Sequence, residues 1–307
     1  MALTHRPQQL RDALQLMNQH TVTVMAGGTD IYPAHVGRSV KGTVLDISAL
    51  SELSQVRSIA VNGEVFLELG AALTWTSLVR RRDPLLRSPW LDGLVMAAAE
   101  VGGVQIQNRG TLAGNLCNAS PAADGVPALM ALDASVVLIS IQGERVLPLH
   151  KFITGPRQTA LMPNELVRAI RLPVPMSTDR SHAAFLKLGH RRYLVISAVM
   201  VAARLDWRDN RVAAAAIAVG SCSPVAIRLP ALENDLLGQS PANVIALSGR
   251  PLPGATLSAL SPISDLRGSD HYRLDMADIL VRRILAWLAS NPGGSLGPVS
   301  EFTGEAA

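Results

Sequence analysis

Two short segments of this 307-residue chain bring together residue types suited to a polyanionic, polyhydroxylated ligand. The first is AGGTD at 26–30, which follows the apolar run Val22–Met25. Two glycines directly after a strand let the backbone turn tightly and aim N–H groups at an anion, and Thr29 adds a hydroxyl. The second is NRGTLAGNLCNASPAAD at 108–124, rich in Gly, Asn, Ser and Pro and uncharged between Arg109 and Asp124. Thr111, Gly114 and Asn115 offer a hydroxyl, bare backbone and an amide within five residues; Ser120 and Asp124 follow, with Pro121 between them. This composition predicts a long irregular loop of neutral donors ending in one carboxylate.

Composition narrows the chemistry. A 48% hydrophobic content supports a sizeable core, and 28 basic against 24 acidic residues leave a formal charge of only +4. The basic residues are scattered, and with four Phe, four Trp and three Tyr the chain lacks the basic stripe and interleaved aromatics of a nucleic-acid binder. Lys occurs only at 41, 151 and 187, so Lys187 stands out. Two cysteines, Cys117 and Cys222, are too few for an iron–sulfur cluster or a cysteine zinc site held by this chain alone. No signal core or membrane-length apolar run is present, which gives the expectation of a cytoplasmic protein without a membrane span. No GxGxxG follows a strand, against a dinucleotide-binding Rossmann protein.

The elements that must position these loops follow from periodicity. Leu10, Ala13, Leu14 and Met17 predict an amphipathic helix over 7–20, then strands at 22–25 and 44–47. Val56–Val61 and Val65–Leu69 flank Asn62–Gly63, a hairpin signal. A helix is expected over 91–101, closed by Gly102 and Gly103, and a short one over 128–132. Strands are expected at 135–141, 145–149 and 166–172. Residues 173–182 read as a linker. Strands at 183–188, 195–205 and 211–219 then give way to helices at 229–238, 241–248 and 269–290, the last capped by Ser269. Strands followed by helices make the second half an α+β domain. The expected organisation is 1–175 (subdomains of about 1–55 and 56–175), 183–290, and a flexible tail at 291–307.

Taken together, the two loops resemble those of the FAD-binding medium subunit of the molybdenum hydroxylases, the xanthine dehydrogenase and carbon monoxide dehydrogenase family. AGGTDI at 26–31, QIQNRGTLAGN at 105–115 and ASPAAD at 119–124 match that family's motifs, and ELVRAIRLP at 165–173 and AFLKLGHRR at 184–192 extend the likeness over most of the chain. The resemblance implies an α+β protein: a two-subdomain FAD-binding fold of the vanillyl-alcohol oxidase type plus a C-terminal α+β domain. It implies noncovalent FAD, with Ala26, Gly27, Gly28, Thr29, Asp30 and Ile31 around the pyrophosphate. Thr111, Gly114 and Asn115 should meet the phosphate and ribityl region, with Gly103 in the same set. Asp124 should accept from flavin-side hydroxyls, Leu166 should lie near the adenine or the flavin ring, and Lys187 near the isoalloxazine. A solvated strand residue is the other reading of Lys187. Two departures stand out: Ala113 where Gly is commoner, and Gln107 where Arg is commoner. No histidine falls in either motif, so a histidyl–flavin bond is not expected.

The implied role is an electron-transfer subunit, an oxidoreductase component active only in complex. Electrons would come from [2Fe-2S] clusters in a small iron–sulfur subunit, fed by the molybdenum cofactor of a large subunit, and leave to NAD or another acceptor. Two alternatives stay open: a standalone FAD-dependent oxidoreductase of the same fold, and a nonenzymatic scaffold chain. The cluster His190–Arg191–Arg192–Tyr193 reads as a turn near the flavin rather than a catalytic set, because no nucleophile and base accompany it.

Overall fold

The structure, a computed structural model, describes residues 3–177, 179–191 and 194–292. The first lobe alternates strands and helices: β1 (Leu3–His5), α1 (Leu10–Gln19), β2 (Val22–Met25), α2 (Ile31–Ala34) and β3 (Thr43–Asp46). Its sheet has the order β1-β3-β2, with both pairings parallel. The stripe Leu10, Ala13, Leu14 and Met17 is buried as its spacing requires, against Leu45, Ile47, Leu50 and Leu53. The helix begins at Leu10, later than its periodicity suggested. Its free first N–H is capped from afar, Leu10 N donating to Glu52 Oε1 at 3.0 Å.

The second lobe contains β4 (Val56–Val61), β5 (Glu64–Gly70), α3 (Trp75–Val79), α4 (Asp92–Glu100), α5 (Val104–Gln107), α6 (Leu112–Asn118), α7 (Gly125–Ala131), β6 (Ser135–Ser140), β7 (Gly143–Pro148), α8 (Leu149–Phe152), β8 (Ile153–Gly155), β9 (Gln158–Thr159) and β10 (Leu166–Pro173). Its main sheet is antiparallel, in the order β4-β5-β10-β6-β7. Asn62 and Gly63 both take positive φ, the geometry that lets a two-residue turn follow the strand twist.

The third lobe comprises β11 (Arg180–Leu188), β12 (Val199–Arg208), β13 (Arg211–Gly220), β14 (Ile227–Arg228), α9 (Pro230–Leu236), α10 (Pro241–Ser248), α11 (Gly254–Leu257) and α12 (Asp270–Ser290). The expected linker ends early, since β11 starts at Arg180 and pairs with β12 from Trp207 onwards. β12 starts at Val199, four residues after its apolar run begins, where Val199 pairs with Leu188 at the end of β11. Every residue of β12 from Val199 to Trp207 is buried, since α4 and α7 cover one face of the sheet and α12 the other. Contact with α4 is close enough that a Cβ on Gly93 would lie 2.9 Å from the Ala184 carbonyl oxygen. One hydrophobic core therefore runs from Leu67 to Ala289 across the second and third lobes. Ser269 caps α12, accepting from Tyr272 N at 3.1 Å. Of the expected tail, residues 293–307 lie outside the described residues.

Candidate functional site

The loop after β2 is shaped by its glycines. A Cβ on Gly27 would lie 1.8 Å from the Arg109 carbonyl oxygen, so only glycine lets the first loop pack against the second. Gly28 takes φ +74°, which a side chain would strain, and a Cβ there would also meet the Tyr32 ring at 2.6 Å. Residues 26–30 are thus a tight turn, laid on the backbone of 109–110 at Gly27, that leads into α2.

The second segment is not the irregular loop its composition suggests, because α6 occupies its centre. Thr111 initiates the helix, its Oγ1 accepting from Gly114 N at 3.0 Å, while Leu112, Ala113 and Leu116 turn into the core. Strand-like bonds pin the entry, Trp75 N donating to Gly110 O at 3.2 Å and Leu112 N to Leu73 O at 3.0 Å. Ala119 ends the helix at φ +44°, and Arg157 N donates to its carbonyl at 2.8 Å. The two departures from the family pattern find their place here. Ala113 is buried in the core and does not line the cleft into which both segments open, and Gln107 donates from Nε2 to the Ala99 carbonyl near the end of α4 at 3.0 Å.

Both segments open into one cleft of about 640 Å³. Ala26, Gly27, Gly28, Thr29, Asp30, Ile31, Gly103, Thr111, Gly114, Asn115 and Asp124 all line it. Asn118 ties the walls together, donating from Nδ2 to Asp30 Oδ1 at 2.7 Å and accepting from Arg157 Nη1 on its Oδ1. Arg157 is the one basic side chain among the described lining residues. Sequence reasoning missed it, along with Trp75, Cys117 and the segment Leu194–Ile196. No local signal marks these positions, since Arg157 is one of many arginines and 194–196 reads as the start of a strand.

Two expected residues lie elsewhere. Leu166 is 4% exposed, is buried in the same core cluster as Leu10 and Leu14, and does not line the cleft. Lys187 is neither solvated nor a lining residue. Its side chain is buried behind Asp124, Nζ lying 2.7 Å from Oδ2, with a second bond to the Glu100 carbonyl at 3.3 Å. Ser197 donates to the other Asp124 oxygen at 2.6 Å. Burial pushes the Asp124 carboxyl above its ordinary range, and Lys187 and Ser197 pull the other way. Leu194 lies beside Gly103 at the cleft, and His190 and Arg191 are exposed, whereas Arg192 and Tyr193 lie outside the described residues.

The donor set fits FAD. Asn115 Oδ1 is buried without a partner beside the cleft, an acceptor left for a ligand hydroxyl or amide. The Gly27–Gly28 turn leaves room for close backbone approach, and the apolar rings and side chains of Trp75, Ile106 and Ile196 suit a flat heterocycle. Among the described residues no cluster of His, Cys, Asp and Glu could hold a metal ion, and no helix is long and apolar enough to cross a membrane.

Known proteins share this fold. Residues 1–175 match the family described as the FAD binding domain in molybdopterin dehydrogenase, and residues 184–288 match the CO dehydrogenase flavoprotein C-terminal domain. The chain is 34% identical to the caffeine dehydrogenase subunit beta of Pseudomonas sp. (strain CBB1), over 78% of this chain and 79% of that one. It is 28% identical to the xanthine dehydrogenase FAD-binding subunit of Escherichia coli O157:H7, over 95% and 97% of the two chains. A chain of the solved carbon monoxide dehydrogenase from Hydrogenophaga pseudoflava superposes with a TM-score of 0.78 at 26% identity, covering 94% of this chain and 97% of that one.

Proposed function

This chain belongs to the FAD-binding subunit family of the xanthine and carbon monoxide dehydrogenases, and from that premise we propose that it is the electron-transfer subunit of a multi-subunit molybdenum hydroxylase. The observation that supports this reading most directly is the convergence of residues 26–31 and 110–124 on one cleft whose buried Asn115 Oδ1 has no protein partner. In this reading the Gly27–Gly28 turn and Thr29 bind the pyrophosphate, Thr111 and Asn115 orient the ribityl chain, and Asp124 holds the flavin end. Arg157 and Asn118 keep the two loops at a fixed spacing. FAD, when bound, supplies a carrier that takes up electron pairs and releases them singly or together, so it links one-electron centres to a two-electron acceptor.

The chain's own residues then bind and orient, and leave substrate chemistry to others. Cys117 and Cys222 are too few for a cluster, so the [2Fe-2S] centres are assigned to a small partner subunit and the molybdenum cofactor to a large one. Electrons leave to NAD or a comparable acceptor, in the cytoplasm, and turnover requires the whole complex. The test is anaerobic absorbance at the flavin band. The full chain loaded with FAD should not be bleached by a purine, an aldehyde or a heteroaromatic substrate, and adding the iron–sulfur and molybdenum partners should restore bleaching. Rapid bleaching of the isolated chain by any such substrate would instead identify a standalone flavoenzyme. Failure of the chain to take up FAD at all would leave the scaffold reading.

A further inference from the structure

Asp124 lines the cleft, yet both of its oxygens are already engaged by donors from the third lobe. Lys187, on β11, meets Oδ2 at 2.7 Å, and Ser197, in the chain leading to β12, meets Oδ1 at 2.6 Å. Ser197 is wholly buried, and the Lys187 side chain is 6% exposed. Neither lines the cleft, whereas Leu194, Val195 and Ile196, immediately before Ser197, do. The Ser197 hydroxyl therefore bonds the segment that forms one wall to the carboxylate that forms another.

We infer that Ser197 and Lys187 are positioning residues of the cofactor site, acting on bound FAD only through Asp124. The inference rests on the reading that this cleft takes FAD. Lys187 cannot reach past the carboxylate it pairs with, so the ring meets a neutral ion pair and not a free cation. A buried carboxylate stripped of its cation is costly, and so is a buried ammonium stripped of its carboxylate. Ser197 adds direction: with its hydroxyl on Oδ1, the carboxylate is held in one orientation towards the cleft. No feature of the sequence near Ser197 announces this role, because the bond joins residues 73 positions apart.

Coupling between substitutions tests this, with FAD affinity measured by fluorescence titration of the full-length apoprotein. Lys187→Met and Ser197→Ala should each weaken binding about 10-fold, the scale of a lost hydrogen bond to a charged group. In an Asp124→Ala background, Ser197→Ala should change affinity by no more than about twofold, and Lys187→Met should be neutral or restore binding. The flavin midpoint potential of the Lys187→Met, Asp124→Ala protein should equal that of wild type, because the pair removed carries no net charge. Losses that simply multiply, or a double variant whose potential stays below wild type, would overturn the inference and make Lys187 a direct flavin contact. Circular dichroism and thermal unfolding establish that each protein is folded. If Asp124→Ala is not, Asp124→Leu, which also removes both acceptor oxygens, takes its place with the same expectations. A folded wild-type chain that takes up no FAD would sink the cofactor assignment itself, an outcome distinct from multiplying losses.

Discussion

Asn118 donates to Asp30 at 2.7 Å across 88 residues of sequence, and this one bond joins the two loops that make the cleft. Asn118 also receives Arg157, so three segments of chain meet on a single amide. Both partners are at the surface, where such bonds contribute modestly to stability. Asn118→Ala is therefore expected to cost no more than about 1 kcal/mol in global unfolding while loosening the cleft. Urea denaturation and FAD titration on the same preparation check this. An affinity loss smaller than the stability loss would show that the bond serves the fold and not the site.

The two glycines of the first loop fail in different ways. Gly28→Val combines a β-branched side chain with φ +74° and a clash with the Tyr32 ring, and the variant should fold yet lose flavin. Gly27→Ala places its methyl on the Arg109 carbonyl, so the loops themselves must part. Flavin content after gel filtration, alongside circular dichroism, reads both. Stoichiometric FAD in the Gly28→Val protein would show that the pyrophosphate does not sit on this turn.

Ala113 permits a control that leaves the cleft untouched. Its methyl is buried in the core face of α6, so restoring the glycine commoner in the family should cost about 1 kcal/mol through helix propensity and lost packing. FAD affinity should stay within about twofold of wild type, the scatter expected of independent sites. Tighter binding in Ala113→Gly would mean that the alanine limits ligand approach.

Acid stability reports on the third lobe. Hydrogen bonds from Arg267, reinforced by Arg273, hold the Asp265 carboxyl down at about 2, against an ordinary 3.8. A depressed carboxyl contributes stability that is full above its unfolded value and is lost as pH falls through its folded one. The Asp265 contribution should therefore fade between about pH 4 and pH 2. Urea midpoints over that range should fall more steeply for wild type than for Asp265→Asn, and equal slopes would remove Asp265 from the account.

The partner of Asp265 is the larger lever. Arg273 is 1% exposed and donates to the carbonyls of Ala198 at 3.0 Å and Ser221 at 2.8 Å as well as to Asp265. Arg273→Met would strand these acceptors without a donor and should destabilise the chain by about 3–5 kcal/mol. Ala198 directly follows Ser197, so the same variant should also weaken FAD binding. Calorimetric unfolding measures the first effect, and a loss under 1 kcal/mol would mean that water replaces the guanidinium.

Much of this protein could be read from its residues in order. The 3.6-residue stripe of α1, the Asn62–Gly63 turn, the Ser269 cap and the continuous apolar run of β12 are local patterns, and each produced its element because backbone preference and one-sided burial act over a few residues. The AGGTDI turn was legible for the same reason, since a glycine turn is short-range chemistry; the helix that Thr111 caps was not, because its Gly- and Asn-rich composition read as a loop. Neither was the convergence of the two segments. The cleft needs Gly27 against Arg109, Asn118 against Asp30, and the 194–196 segment brought over by a sheet whose strands pair more than 50 residues downstream of Asp124. The site of Leu166 and the pairing of Lys187 with Asp124 went the same way, decided by which face of a strand meets which core. Side-chain partnership across such distances depends on packing of whole lobes, and no spacing within one segment encodes it.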